Sequence, residues 1–443
     1  MSRSDIKKPN VVPSRRSFLR GSAAALTGGA AVLASINDGA RAAGTAIPLG
    51  QAAPLTDFAA ADGVEFKNGL TLACEEINAL GGILGRPLEP YFEDTVQMGD
   101  ATIVQAVQRL IDRHSVHAVI NGYNVGSGAA VQDVIADSGI IYVHYDTTIA
   151  HNNLIKSNPK KYFGSFQGDP AEFWYGQGLL DYLKALTANG EWKPANDKVA
   201  IITSAGTYSV NIANAVKDKA GQYGWKVGLF ETVNVPISEW GPTLAKIRQD
   251  PPGLIVITHF YPGDLAQFMI QFTRNPTPSL IYMQYGPSIP AFRDIGKEAI
   301  NGVLYATVVA ALQDQIGTDF EKRYKAKFGP NAGHLSGGQP YDGAYIWAAA
   351  AAMAGGTGEP GDDAQNRKVA DRMRAMIYRG VNGTTRFILN EQAAYQYPTQ
   401  TKDPSLGMPH QFLQIHDFKK GPALTGPDPY ATGKFMTPPW IKA

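Results

Sequence analysis

Short apolar runs alternate along the first third of the chain with segments whose apolar residues recur every three or four positions. These are the periods of a buried strand and of a helix with one inward face. Residues 47–53 read as a strand that ends at Pro54-Leu55-Thr56-Asp57-Phe58. The helix after it carries Phe66, Leu70, Ala73, Ile77 and Leu80 on one stripe, has Asp62 and Glu65 at capping-box spacing, and stops at Gly81-Gly82. A strand over 88–92 and a helix capped by Asp100, with Ile103, Val107 and Leu110 inward, come next. Residues 116–120 form a short apolar, partly β-branched run that halts at Asn121-Gly122 and a loop of Gly and Ser. From Gly128 the residues Val131, Val134 and Ile135 fall at helical spacing until Gly139, and 140–143 is another buried strand ending at His144-Tyr145-Asp146-Thr147-Thr148. Strands alternating with helices through short connections predict an α/β fold, a parallel sheet with helices on both faces.

The pattern restarts at Gly168-Asp169-Pro170. A helix over 174–186, strands over 199–203, 227–233, 254–258 and 279–285, and a helix opening at Ala205-Gly206-Thr207-Tyr208 repeat the plan of the first part. Two parallel-sheet lobes are therefore expected. Residues 303–309 then lead into helices over 318–328, 341–354 and 367–378, and beyond Phe387-Ile388-Leu389 the chain is Pro-rich apart from a strand over 411–416. The division that follows is 43–168 for the first lobe, 169–302 for the second, 303–390 for a return to the first, and 391–443 for a return to the second and a tail.

Residues 1–42 change the picture of where the protein works. Ser14-Arg15-Arg16-Ser17-Phe18-Leu19-Arg20, an uncharged small and apolar stretch, and Ala40-Arg41-Ala42 have the layout of a twin-arginine export signal cut after Ala42. A soluble, periplasmic or secreted chain is expected. Its removal leaves 33 basic against 37 acidic residues, about −4, which argues against a nucleic-acid partner. The single cysteine, Cys74, excludes an intrachain disulfide and a thiolate metal cluster, and its place on an apolar helix face reads as a core thiol.

In an open parallel sheet, ligands gather beyond the carboxyl ends of the strands, so Ser127-Gly128 and Asp146-Thr147-Thr148 should face one crevice. Free N–H groups at a helix start beside a Ser hydroxyl suit a small anion, although an N-cap at Ser127 and a polar loop at Thr147 would use the same residues. Ser127, His144 and Asp146 could also be imagined as a hydrolase triad. A nucleophile elbow, however, needs Gly two residues either side of the Ser, where Val125 and Ala129 stand. No Gly-x-Gly-x-x-Gly follows the first strand, and His114 and His117 straddle a helix end and a strand start, so neither a dinucleotide cofactor nor a metal is expected.

Ala53-Pro54-Leu55-Thr56, the helix end Glu76-Ile77-Asn78-Ala79-Leu80-Gly81-Gly82-Ile83-Leu84-Gly85-Arg86-Pro87-Leu88-Glu89, then Phe92-Glu93-Asp94 and the strand-loop-helix above resemble the substrate-binding proteins of ABC importers, in particular the branched-chain amino acid and amide/urea binding group. The resemblance implies a type I periplasmic-binding fold: two Rossmann-like lobes joined by three crossovers near Gly168, Val303 and Asn390. It also implies a monomer that closes on one small solute and docks on an inner-membrane permease; a ligand sensor would use the same fold. By resemblance, Ser127 and Gly128 take a ligand carboxylate, Asp146 and Thr148 supply a carbonyl and a hydroxyl, Tyr208 comes from the second lobe, and Phe260 or Tyr261 adds an aromatic wall. The acid that such amino acid binders place after a later second-lobe strand is missing from Gln284-Tyr285-Gly286-Pro287. That absence favours a small carboxylate or amide over a free α-amino acid, with Asp62 and Asp146 as the acids that could restore the amino acid reading. Phe58, Tyr123, Tyr145, Tyr208, Phe260, Tyr261 and Tyr285 all fall on loops at strand ends, which suits a flat or apolar ligand body.

Overall fold

The computed structural model describes residues 44–56, 59–124 and 128–441; the leader, Phe58 and Ser127 lie outside them. The first lobe is built from β1 (Ile47–Ala53), α1 (Ala60–Ala79), β2 (Leu88–Asp94), α2 (Asp100–His114), β3 (Ala118–Ile120), α3 (Ala129–Ser138), β4 (Ile141–His144), α4 (Ile149–Ser157) and β5 (Ser165–Gln167). Its sheet is parallel throughout, in the order β2-β1-β3-β4-β5. The second lobe follows with α5 (Phe173–Ala188), β6 (Lys198–Ser204), α6 (Thr207–Ala220), β7 (Lys226–Val233), α7 (Gly241–Gln249), β8 (Leu254–Ile257), α8 (Pro262–Phe272), β9 (Leu280–Gln284), α9 (Pro290–Gly296) and β10 (Leu304–Thr307).

Central strands lack polar alternation because helices cover both of their faces. Every residue of β8 is fully buried, each side chain contributing about 1.5–3 kcal/mol of burial. The edge strand β7 is largely exposed, Val227 and Phe230 included. Gly139 ends α3 in the left-handed conformation at φ 68°, and Pro262 opens α8 where its missing N–H costs nothing.

The third passage of the chain completes the first lobe. It contains α10 (Gln315–Phe328), α11 (Gly338–Met353), α12 (Asp363–Ala375) and the hairpin β11 (Ile377–Arg379) with β12 (Thr384–Arg386). The Ala-rich α11 buries Trp347 in the first-lobe core. It approaches α1 so closely that a Cβ on Gly69 would lie 1.9 Å from the Gly337 carbonyl oxygen. A small parallel pair, β13 (Gln396–Tyr397) and β14 (Met408–Pro409), precedes β15 (Gln411–Gln414) and β16 (Ala423–Gly426). The last two extend the second sheet antiparallel, giving the order β16-β15-β10-β9-β8-β6-β7.

The structure moves two crossovers away from their expected positions. Residues 304–307 do not leave the second lobe at Val303, because this fully buried strand finds ladder partners only between β9 and β15. The chain is back in the first lobe by Leu312, whose N–H bonds the Val381 carbonyl. Nor does it depart at Asn390: the Gln392 side chain donates to the carbonyls of Tyr162, Phe163 and Ser165, and the Ala394 N–H bonds Gln167. The capping box at Asp62 and Glu65 does not form either. The N-cap of α1 is Ala59 with no side-chain cap, and both carboxylates turn toward the segment before α11 instead.

Candidate functional site

A cleft of about 370 Å³ opens where the carboxyl ends of the two sheets face each other. The first lobe contributes Tyr123, Asn124 and Asp146–Thr148, and the second contributes Ser204–Tyr208, Val235, Phe260, Tyr261, Gln284 and Tyr285. Glu172, Tyr175 and residues 307–309 line it from the crossovers. The expected residues Asp146, Thr147, Thr148, Tyr208, Phe260, Tyr261 and Tyr285 thus meet in one place. Gly128 and Asp62 do not line the cleft among its described residues.

Among the described residues, the first-lobe backbone N–H groups at the expected anion positions are occupied. Gly128, the left-handed N-cap of α3, gives its N–H to Asp100 Oδ1 at 3.1 Å. The Thr148 N–H bonds Gln167 Oε1 at 2.8 Å, and the Thr148 hydroxyl oxygen caps α4 by accepting from the Ala150 N–H at 3.2 Å. Asp146 is also held: Oδ1 accepts from the Asn124 N–H at 2.8 Å, and Oδ2 lies 3.1 Å from His144 Nδ1. The other nitrogen of His144 faces His151 Nδ1 at 3.0 Å, and the ring is fully buried. His144 therefore has no nitrogen left to act as a base toward a serine.

The two lobes touch through a pair of hydroxyls. Tyr123 OH, from the loop after β3, donates to Asp62 and lies 3.0 Å from Tyr285 OH, from the loop after β9. Asp62 also accepts from Ser336 Oγ at 3.2 Å, and Glu65 accepts from the Ser336 N–H at 2.8 Å. Burial pushes the Asp62 carboxyl up and raises Glu65 to about 7. It also holds both tyrosine hydroxyls well above their usual range. Tyr285 adopts φ 56° and Thr147 φ 49°, left-handed conformations costly for such residues that tend to mark ligand clamps.

Aromatic rings wall the second-lobe side. Tyr208 stands edge-on to Phe260 at 5.6 Å between centroids, and Phe260 leans on Tyr261 at 5.0 Å. Gln284, where an acid is missing, is satisfied internally: it accepts from Tyr282 OH and donates to Tyr208 OH at 3.1 Å. Sequence reasoning missed Glu172 and Tyr175, because residues 168–173 read only as the connection to a new lobe and Tyr175 only as the first turn of the helix over 174–186. The usable signal was an acid placed beside Phe173-Trp174-Tyr175 at a sheet end. Among the described residues no group of three His, Cys, Asp or Glu converges to hold a metal, and no helix is long and apolar enough to cross a membrane.

Two parallel-sheet lobes linked by three passes of the chain, with a cleft lined from both, define the class of two-lobed solute-binding proteins. The chain belongs to the periplasmic binding protein family, whose profile matches residues 46–398. A solved structure described as a putative branched-chain amino acid ABC transporter from Silicibacter pomeroyi is similar at 52% identity and TM-score 0.87, over 89% of this chain and 100% of that one. The substrate-binding protein LivJ of Streptococcus pneumoniae, solved with isoleucine, shares the fold at TM-score 0.66 and 19% identity over 86% of this chain and 100% of that one. Among curated relatives, Leu/Ile/Val-binding protein homolog 2 of Brucella abortus is 27% identical over 211 residues, 46% of this chain. The match spans 51% of that relative's length. These are binding proteins rather than enzymes, of periplasmic or extracellular location, so the triad reading falls.

Proposed function

We propose that this chain is the solute-binding component of an ABC importer. A twin-arginine leader over 1–42 takes it to the periplasm, where it works as a monomer and closes on one small amino-acid-like, carboxylate or amide solute with an apolar or aromatic body. The closed form then docks on an inner-membrane permease. The observation that carries this reading is a cleft whose walls come from both lobes and from the crossovers, bridged by Tyr123 and Tyr285. A ligand that touches both lobes binds the closed form better, and only that difference shifts the population. The branched-chain amino acid relatives support the solute size, and the aromatic wall of Tyr208, Phe260 and Tyr261 supports the apolar body.

A thermal-shift screen of residues 43–443 against amino acids, amides and urea, amines, and aromatic and aliphatic acids tests the reading. A ligand at a hundredfold excess over Kd stabilises by about 2.7 kcal/mol. A saturable shift with at least one class is expected, and no shift with any of them would refute capture in this cleft.

A further inference from the structure

We propose that the captured solute carries a protonated amine and that Glu172 is its counter-ion, with Tyr175 and Tyr208 as the ring walls around the cation. The proposal rests on the capture reading and names the chemistry of what fills the cleft. Glu172 stands on the first crossover, directly before α5, lines the cleft and is only 1% exposed. Both of its oxygens accept from neutral donors: the Ile149 N–H at 2.6 Å from the first lobe, and Asn211 Nδ2 at 2.6 Å from α6 of the second. Among the described residues no Lys or Arg lines the cleft. The other lining carboxylate, Asp146, already has His144 at 3.1 Å. Glu172 is therefore a buried carboxylate with hydrogen bonds but no opposite charge, an arrangement that is costly until a cation arrives. Its burial holds it at about 6, above the usual carboxylate range.

The surroundings fit an ammonium better than an anion. The Tyr175 and Tyr208 rings lie 6.4 Å apart at 71°, and ring faces attract cations. The first-lobe N–H groups of Gly128, Asn124 and Thr148 are spent on Asp100, Asp146 and Gln167. The start of α6, at Thr207 and Tyr208, also lines the cleft, and its dipole can receive a carboxylate elsewhere on the same solute. Amino acids and simple amines both remain candidates, whereas an acid without an amine has nothing to offer Glu172.

The test uses two skeletons in four forms each, titrated into the mature protein by calorimetry: leucine, isoamylamine, 4-methylpentanamide and 4-methylpentanoate, and their phenyl counterparts phenylalanine, phenethylamine, 3-phenylpropanamide and 3-phenylpropanoate. The amine-bearing forms should bind at least tenfold tighter than the amide and acid of the same skeleton. Glu172→Gln should weaken them about 10- to 150-fold, as for a lost charged hydrogen bond, and change the amides less than twofold. If that variant fails to fold, the pH profile of the wild type decides. Glu172 must be ionised to hold the cation, so amine affinity should be flat above about pH 6 and fall about tenfold per pH unit below it, with amides flat throughout.

The titratable groups facing Glu172 are Asp146, Asp169, Tyr175 and Tyr208, with His410 stacked behind Tyr175. Burial pushes the Asp169 carboxyl and both tyrosine hydroxyls up from their ordinary values and His410 down to about 3, and the flat amide profile controls for any titration among them. An acid or amide that binds as well as its amine, a flat amine pH profile, or an equal loss for amine and amide in Glu172→Gln would overturn the assignment and leave capture standing. Binding by none of the eight also overturns the assignment; it overturns capture only if the wider thermal-shift screen is empty as well.

Discussion

Replacing Tyr285 by Phe removes one oxygen from the contact that joins the lobes and leaves the ring in place. Tyr123 and Tyr285 meet edge to face at 6.0 Å, a packing Phe retains, while their hydroxyls are 3.0 Å apart. Tyr123 still donates to Asp62 after the change, so its donor is not orphaned. The Tyr285 hydroxyl gives up its hydrogen bond with Tyr123, and its contact with Ser336 as well, so the loss is at least that of one hydrogen bond, about 0.5–1.5 kcal/mol. Because the contact spans the lobes, that energy comes out of the closed state alone. The closed-to-open ratio should therefore fall about 2- to 13-fold. Single-molecule energy transfer reads the ratio directly: Gln97→Cys and Glu239→Cys put labels on the loops after β2 and β7, and the buried Cys74 stays unlabelled. An unchanged ratio in Tyr285→Phe would show that these hydroxyls do not hold the lobes together, and that the strained φ of Tyr285 serves something else.

Gly69→Ala should lower the unfolding free energy by about 1–3 kcal/mol in denaturant titration, because its methyl group would press on the Gly337 carbonyl where α1 meets α11; an unaffected midpoint would contradict that close approach. His410 is buried and pushed down to about 3, so folding keeps it neutral while unfolding lets it take a proton below its usual 6.5. Its contribution is full above about pH 6.5 and is lost as pH falls toward 3, at up to about 1.4 kcal/mol per pH unit. His410→Phe should flatten that acid limb in urea titrations, and an identical slope would count against it. Replacing Arg15 and Arg16 together by Lys should leave precursor in the cytoplasm; normal periplasmic levels would remove the twin-arginine assignment.

Much of the architecture was legible because strands buried on both faces and one-striped helices leave distinct periods. β1 begins and ends at Ile47 and Ala53 as read, and the Gly128-to-Gly139 helix is α3. Chain return was less legible. Nothing local in 303–309 distinguishes a strand of the second sheet from a connection to the first, since a ladder partner such as β15, a hundred residues away, leaves no mark on the run itself. The site divides the same way. Tyr208, Phe260, Tyr261 and Tyr285 were readable as loop aromatics at strand ends, where an open sheet gathers its ligand. Asp62 was misplaced because capping-box spacing is a local signal, and the tertiary donors Tyr123 and Ser336 outcompeted it. Glu172 left only the weak signal of an acid beside Phe173-Trp174-Tyr175, because its meaning comes from the lack of an opposite charge around it, which shows only once the cleft is assembled.

Closure of the two lobes on a solute is the central event. Small-angle scattering of residues 43–443, recorded with and without a compound that saturates the protein, should show a smaller radius of gyration in the bound form. An identical radius despite saturable binding would contradict capture by two closing lobes.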